Sequence, residues 1–189
     1  RNNNGLTGRK TNGPDMEFAR RYIRLIDGMN RIIGRIVMYG IFVMMGILLW
    51  SSISKTFFLP SLWTLEMAQF AMVAYYMLGG PYSIQMGSNV RMDLFYGEWS
   101  NRRKSQIDAI TVLFLITYLG FLLWGGIDST LYSFKYGGER SPTAWRPYLW
   151  PIKVIMVTGI FLMLLQAISE LFKDILRLKG EKYPREELN

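Results

Sequence analysis

The 189-residue chain contains no cysteine and no histidine. The first absence excludes disulfides, thiol nucleophiles, iron–sulfur clusters and thiolate metal sites. The second removes bis-histidine haem ligation, most zinc and copper chemistry and the usual general base of a hydrolase. No Walker A sequence, dinucleotide fingerprint, nucleophile elbow or metal-ligand cluster is present. The chain therefore reads as non-catalytic, with no cofactor and no resident metal. A secretory signal is lacking as well, because the polar opening RNNNGLTGRKTNGPD has neither an apolar core nor a small-residue cleavage site. Residues 1–15 read as a disordered leader or a non-native addition, residues 16–178 as a membrane domain, and residues 179–189 as a polar tail.

Apolar residues are abundant. Half of the chain is hydrophobic and 15% is aromatic, and these residues gather into long blocks, which places the chain among integral membrane proteins. A net charge of +8 would suggest nucleic acid in a soluble protein. Here the basic residues flank apolar blocks, so the expected partners are phospholipids with anionic headgroups and not nucleic acid.

Crossing hydrocarbon as a helix takes about 20 apolar residues. Four stretches qualify, and the fold class expected is all-α with four transmembrane helices: Ile32–Trp50, Leu62–Ile84, Ala109–Leu131 and Trp150–Leu171. Pro81 predicts a kink or an early end in the second, since proline lacks the backbone donor and strains the preceding turn. Eight Lys/Arg precede or open the first span, four lie between the second and third, and five follow the fourth. Only Lys55, Lys135, Arg140, Arg146 and Lys153 occupy the other side. This asymmetry puts both termini of a multi-pass protein in the cytoplasm. Tryptophans and tyrosines near the span ends form interfacial belts.

Two flanking segments are amphipathic. Between Glu17 and Arg35, apolar Phe18, Tyr22, Leu25, Met29, Ile32 and Ile36 recur at helical spacing, with Arg20, Arg24, Asp27, Arg31 and Arg35 on the other face. Such a helix lies in the interface and bends into the first span, with Arg20, Arg21, Arg24, Arg31 and Arg35 at the membrane surface. The stretch VRMDLFYGEWSNRRK after the second span forms a shorter interfacial arm. Both segments serve either as anchors or as lateral braces for a partner.

Glu66 is a carboxylate inside the apolar run SLWTLEMAQFAMVAYYML. It sits four residues after Leu62, about 6 Å into the helix, and Ser61 is a candidate N-cap. Three roles fit that shallow position: pairing with backbone or a nearby cation, a polar contact between subunits, or a proton or transport step. Asp128 is similarly shallow and joins Glu139, Arg140, Arg146 and Lys153 in a mixed-charge rim.

Several stretches occur in a telling order. LWTLEMAQFAMVAYYMLGG carries Trp63 and Glu66 at its start and Gly79–Gly80 at its end. NVRMDLFY follows with Arg91 and Asp93, and then ERSPTAWRPYLWPIK and LLQAISELFKDI. From about Phe18 to Leu178 the chain resembles the small membrane subunit (DctQ-type small permease) of tripartite ATP-independent periplasmic (TRAP) transporters. The resemblance implies a non-catalytic scaffold and anchor for a large elevator-type subunit, in sodium-coupled, binding-protein-dependent uptake of organic acids. It implies two protein partners, the large polytopic membrane subunit and, transiently, a periplasmic solute-binding protein. Trp63, Glu66, Gly79, Gly80, Arg91 and Asp93 become candidates for structural or subunit contacts. Glu139, Arg140, Trp145, Arg146 and Tyr148 become candidates for facing the binding protein. The competing reading is a self-contained, homo-oligomeric small transporter or channel, which would need more midplane polarity than Thr117, Gln69 and Glu66 supply.

Overall fold

The computed structural model describes residues 14–59, 61–86, 101–136 and 139–178. Five helices follow one another: α1 (Pro14–Met38), α2 (Gly40–Phe57), α3 (Thr64–Gln85), α4 (Asn101–Lys135) and α5 (Trp150–Leu178). Among the described residues there is no strand, and the one extended pairing is an isolated bridge between Arg140 and Tyr148. The expected arm after the second span, apart from its last residues in α4, lies outside the described residues, as do the tail and nearly all of the leader.

The expectation of a helical membrane protein holds, with changed boundaries. Three segments are long and apolar enough to cross a bilayer: Glu17–Phe57, Ile110–Lys135 and Trp150–Leu176. The first apolar block does not begin its own helix at Ile32. Its break comes at Tyr39, where two tightened turns place Tyr39 N–H on the Ile36 carbonyl and Phe42 N–H on the Tyr39 carbonyl, each at 3.1 Å. The stretch expected as the second span is helical as α3, 22 residues long, but it is not among the three segments apolar enough to cross, and it carries Glu66, Gln69 and Gln85.

Helix α5 is the hub, packing against α1, α3 and α4, while α3 also touches α1 and α2. The apolar core lies where α3, α4 and α5 meet. Leu119, Ile160 and Ala167 are buried there, with Met77, Met156, Met163 and Leu123 filling the space around them. Outside this small core many large apolar side chains face outward while several polar ones are buried. Phe42, Leu49, Phe114, Phe121 and Trp124 point outward, whereas Asn30, Thr64, Gln166, Ser169, Lys173 and Asp174 are buried. Water would penalise that outward apolar surface heavily, and hydrocarbon does not. Hydroxyls on the outer surface bond within their own helices: Thr117 donates to the Leu113 carbonyl at 3.0 Å and Thr158 to that of Val154 at 2.8 Å.

Pro81 does not end α3, which continues to Gln85. Proline has no N–H for the carbonyl four residues back, so Met77 loses its ordinary intrahelical donor. That carbonyl is where α5 comes closest. A Cβ added to Gly159 would stand 2.7 Å from the Met77 oxygen, and one added to Gly80 would stand 2.5 Å from the end of Met163. The two helices therefore touch backbone to backbone, the close approach that small residues permit in membranes.

Gly159→Ala is accordingly expected to destabilise the protein by about 1–3 kcal/mol through overpacking against a rigid carbonyl. Gly46→Ala, where a Cβ meets nothing within 4 Å, should be neutral or slightly stabilising. Thermal unfolding in detergent compares the two.

Candidate functional site

Three stripes run along α1. At about 100° per residue, Phe18, Leu25, Ile32 and Ile36 share one direction and are exposed. Arg24, Arg31 and Arg35 share a second and are exposed too. Between them a third stripe of Ala19, Ile23, Ile26 and Asn30 is buried. The apolar stripe of Phe18, Leu25, Ile32 and Ile36 thus stays outward, and smaller side chains form the contact with α3 and α5. Tyr22 adds an edge-to-face ring contact with Phe172, centroids 5.5 Å apart.

The third stripe meets a polar face of α5 built from Gln166, Ser169, Glu170 and Lys173. Their spacing of three and four residues puts them on one side of the helix. Lys173 Nζ lies 2.6 Å from Asp27 Oδ2 and 2.8 Å from Glu170 Oε1, with only 6% of its side chain exposed. Asp27 Oδ1 accepts from Gln166 Nε2 and Ser169 Oγ, both at 3.0 Å. Gln166 Oε1 in turn accepts from Asn30 Nδ2 at 2.7 Å. The seam orients itself, since two carboxylates fix which end of the Gln166 amide donates, and that fixes Asn30. A cation enclosed in this way resists removal of either partner far more than its net worth suggests. Asp27, placed with the arginines by its spacing, belongs instead to this seam. The Gln166–Ser169–Glu170–Lys173 spacing is the signal that would have revealed it.

At the other end of the bundle, α2 and α3 are joined by hydroxyls. Thr64 Oγ1 donates within 3.0 Å of Ser51 Oγ, and Ser61 and Thr64 share a further bond at 3.0 Å. Ser54 Oγ closes the turn on the Leu59 carbonyl at 3.0 Å. Ser61 is not the N-cap, because the helix begins after Trp63, which makes no side-chain capping bond. Trp63 is partly exposed and Glu66 buried at 6%, with its Oε2 lacking any hydrogen-bond partner. Glu66 occupies the first turn of α3, where the helix dipole favours a negative charge.

The connection from α4 to α5 is clipped. Glu139 Oε2 accepts from Ser133 Oγ and Lys153 Nζ, both at 2.5 Å. These donors, Lys153 first, hold the Glu139 carboxyl below the usual carboxylate range. Arg140 donates to Tyr148 Oη at 2.6 Å and also lies over that ring, 4.5 Å from its centroid. Arg146 has a left-handed backbone, φ 48°, and Trp145 is exposed. Of the five loop candidates, then, Glu139 is turned toward the helices, Arg140 and Tyr148 pair, and Trp145 and Arg146 stand free of described contacts.

Gly79 and Gly80 line a groove of about 490 Å³ between α1 and α3, with Gly34, Tyr75, Tyr76 and Tyr82. Gly80 alone of the pair is under close contact. Arg20, Arg21 and Arg24 border a shallow depression with Glu17 and Leu25, while Arg31 and Arg35 continue along the exposed side. Arg91 and Asp93 lie outside the described residues.

An outward apolar belt, internally bonded hydroxyls and a polar seam define a multi-pass helical membrane protein. The family model described as "Tripartite ATP-independent periplasmic transporters, DctQ component" matches residues 44–177. The chain belongs to that family, and is thus the small permease component of a TRAP transporter and a transport component rather than an enzyme. The matched stretch holds Glu66, the clip and the α5 half of the seam; Asp27 and Asn30 precede it. No curated protein and no solved structure matches the chain.

Lys173→Met should lower stability by about 3–5 kcal/mol, since it strands Asp27. The double change Asp27→Asn, Lys173→Met should recover a large part of that loss in a thermal-unfolding mutant cycle. For the clip, a lowered folded-state pKa means that its contribution is complete above the unfolded value and is lost as pH falls through the folded one. The side-chain ¹³C resonance of Glu139 should therefore titrate below the ordinary glutamate range, and return toward that range in Lys153→Met.

Proposed function

We propose that the chain is the static small subunit of a sodium-coupled, binding-protein-dependent carrier of organic acids in the bacterial inner membrane. In this reading it sits beside a large polytopic subunit that performs the elevator motion, widens that subunit's scaffold and anchors it in the bilayer. The observation carrying the proposal is the seam. It ties α1 to α5 through an enclosed cation and four hydrogen-bonding side chains, so the first and last helices form one brace. A moving transport domain needs a wall that does not move with it, and such a brace supplies one.

The remaining expectations fit around the brace. Helix α3 serves as the fourth crossing, with both termini in the cytoplasm. Helix α1 lies in the inner-leaflet interface, its free apolar stripe toward acyl chains and Arg21, Arg24 and Arg35 toward anionic headgroups. The loop of residues 139–149 then lies in the periplasm, where Trp145 and Arg146 are free to meet the solute-binding protein. Trp63 and Glu66 hold the periplasmic end of α3.

Native mass spectrometry on the chain co-expressed with its chromosomal neighbours tests the proposal. A one-to-one complex with a larger polytopic membrane protein is expected. Substrate uptake by vesicles holding this chain alone would instead support the self-contained transporter. Trp145→Ala with Arg146→Ala should lower binding-protein-dependent uptake several-fold, as loss of interface anchors does, without lowering recovery of the membrane complex.

A further inference from the structure

Asp128 is a charge that nothing in the fold explains. The face of α4 that packs on α5 carries Leu119, Leu123, Gly126 and Thr130. At about 100° per residue, Asp128 points directly away from Leu119. It is exposed, and no described residue makes a hydrogen bond or ion pair with it. The other charged side chains described in the spans formed by α3 to α5 are differently placed. Glu66 and Asp174 are buried, Lys153 pairs with Glu139, and Lys173 is enclosed by Asp27 and Glu170. Lys135 lies in the last turn of α4.

Shallow as it is, the position still falls within lipid. Asp128 precedes Lys135 by seven residues, about 10 Å along the axis. The apolar segment Ile110–Lys135 has 26 residues, about 39 Å, so it overhangs a hydrocarbon core of about 30 Å by some 5 Å at each end. The carboxylate thus falls about 5 Å inside the hydrocarbon edge on this geometry, and aspartate is too short to snorkel out as lysine and arginine do. One turn away, Gly125 is also outward, and a Cβ there would meet nothing within 4 Å. A groove in the helix surface therefore adjoins the charge, flanked by exposed Phe121 and Tyr132.

Helix α2 gives the contrast. Its outward stripe of Phe42, Gly46, Leu49 and Ile53 is exposed and carries no charge, so acyl chains satisfy it completely. The outer face of α4 asks for more than acyl chains can offer.

We infer that the face of α4 carrying Phe121, Gly125, Asp128 and Tyr132 is the seam for the large subunit. A transmembrane helix of that subunit packs over Gly125 and brings a lysine, arginine or amide donor to Asp128. The inference rests on the small-subunit reading and adds to it which helix meets the partner and through which charge.

The test uses the co-expressed complex. Asp128→Lys and Gly125→Leu should each cut the large subunit recovered with this chain by about tenfold, the scale of one lost polar or packing contact in a membrane. Gly46→Leu on α2 should leave recovery unchanged. Each variant's thermal midpoint alone in detergent should match the parent, which separates lost binding from lost folding. Because the chain has no cysteine, Phe121→Cys and Phe42→Cys can each carry a photo-crosslinker attached only there. Capture of the large subunit, identified by mass spectrometry, from position 121 and not from 42 is expected. If the parent chain forms a complex but Asp128→Lys and Gly125→Leu leave it intact, or position 42 captures and 121 does not, the α4 seam is overturned and the subunit reading stands. If the parent chain forms no complex, both fall.

Discussion

A lysine ammonium held between two carboxylates, inside a protein whose exterior is hydrocarbon-like, is the constraint on which this structure turns. Lys173 is drawn to Asp27 on α1 and to Glu170 on its own helix. With only 6% of its side chain exposed, it has little solvent to turn to if α1 moves away. The attraction between enclosed charges falls off slowly in a medium of low dielectric, and the penalty for separating them is correspondingly high. Gln166, Ser169 and Asn30 add direction to what would otherwise be a radial force. An ion pair alone tolerates sliding and rotation, whereas a chain of amide and hydroxyl bonds accepts one register. The seam thus sets both the position and the rotation of α1 on the bundle.

The remaining contacts depend on α5 being held. Its opposite end is clipped through Lys153 to Glu139 and Ser133, and its middle presses Gly159 against the carbonyl that Pro81 leaves without its ordinary donor. Proline and glycine act here as a pair on two helices: one removes a donor, and the other allows a neighbouring backbone to cover the acceptor. With α5 fixed at both ends and in the middle, α3 and α4 take their places on its two sides. What remains outward on α2 and α4 is mostly apolar, whereas α1 also presents its arginines. A charge such as Asp128 on that surface stands apart, because lipid satisfies an aliphatic surface fully and a charge hardly at all.

Much of the site was visible as residue types but not as partnerships. Glu66 stood out in the chain because it interrupts an apolar run. Its actual surroundings, a buried first turn next to a hydroxyl-bonded hairpin, depend on Ser51 and Thr64, thirteen residues apart and on different helices. Asp27 was placed with the basic stripe because helical spacing assigns a residue to an angle and leaves open what lies at that angle. Its partners are more than a hundred residues away. The loop candidates divide in the same manner: Arg140 and Tyr148 engage each other, while Trp145 and Arg146 do not.

Composition and periodicity by themselves determined the class of protein, its helical content, the absence of thiol and imidazole chemistry, and the apolar segments of α2, α4 and α5. These follow from local physics, since a helix in lipid must satisfy its own backbone and present apolar side chains around it. The pattern also carried the family. Only the tertiary structure decided where the first helix breaks, which of α1's three stripes packs, that α3 runs through its proline, and which charges are paired. Those outcomes depend on distances between segments far apart in the chain, and an ionic or close-packed contact has no energy until both sides have been brought together.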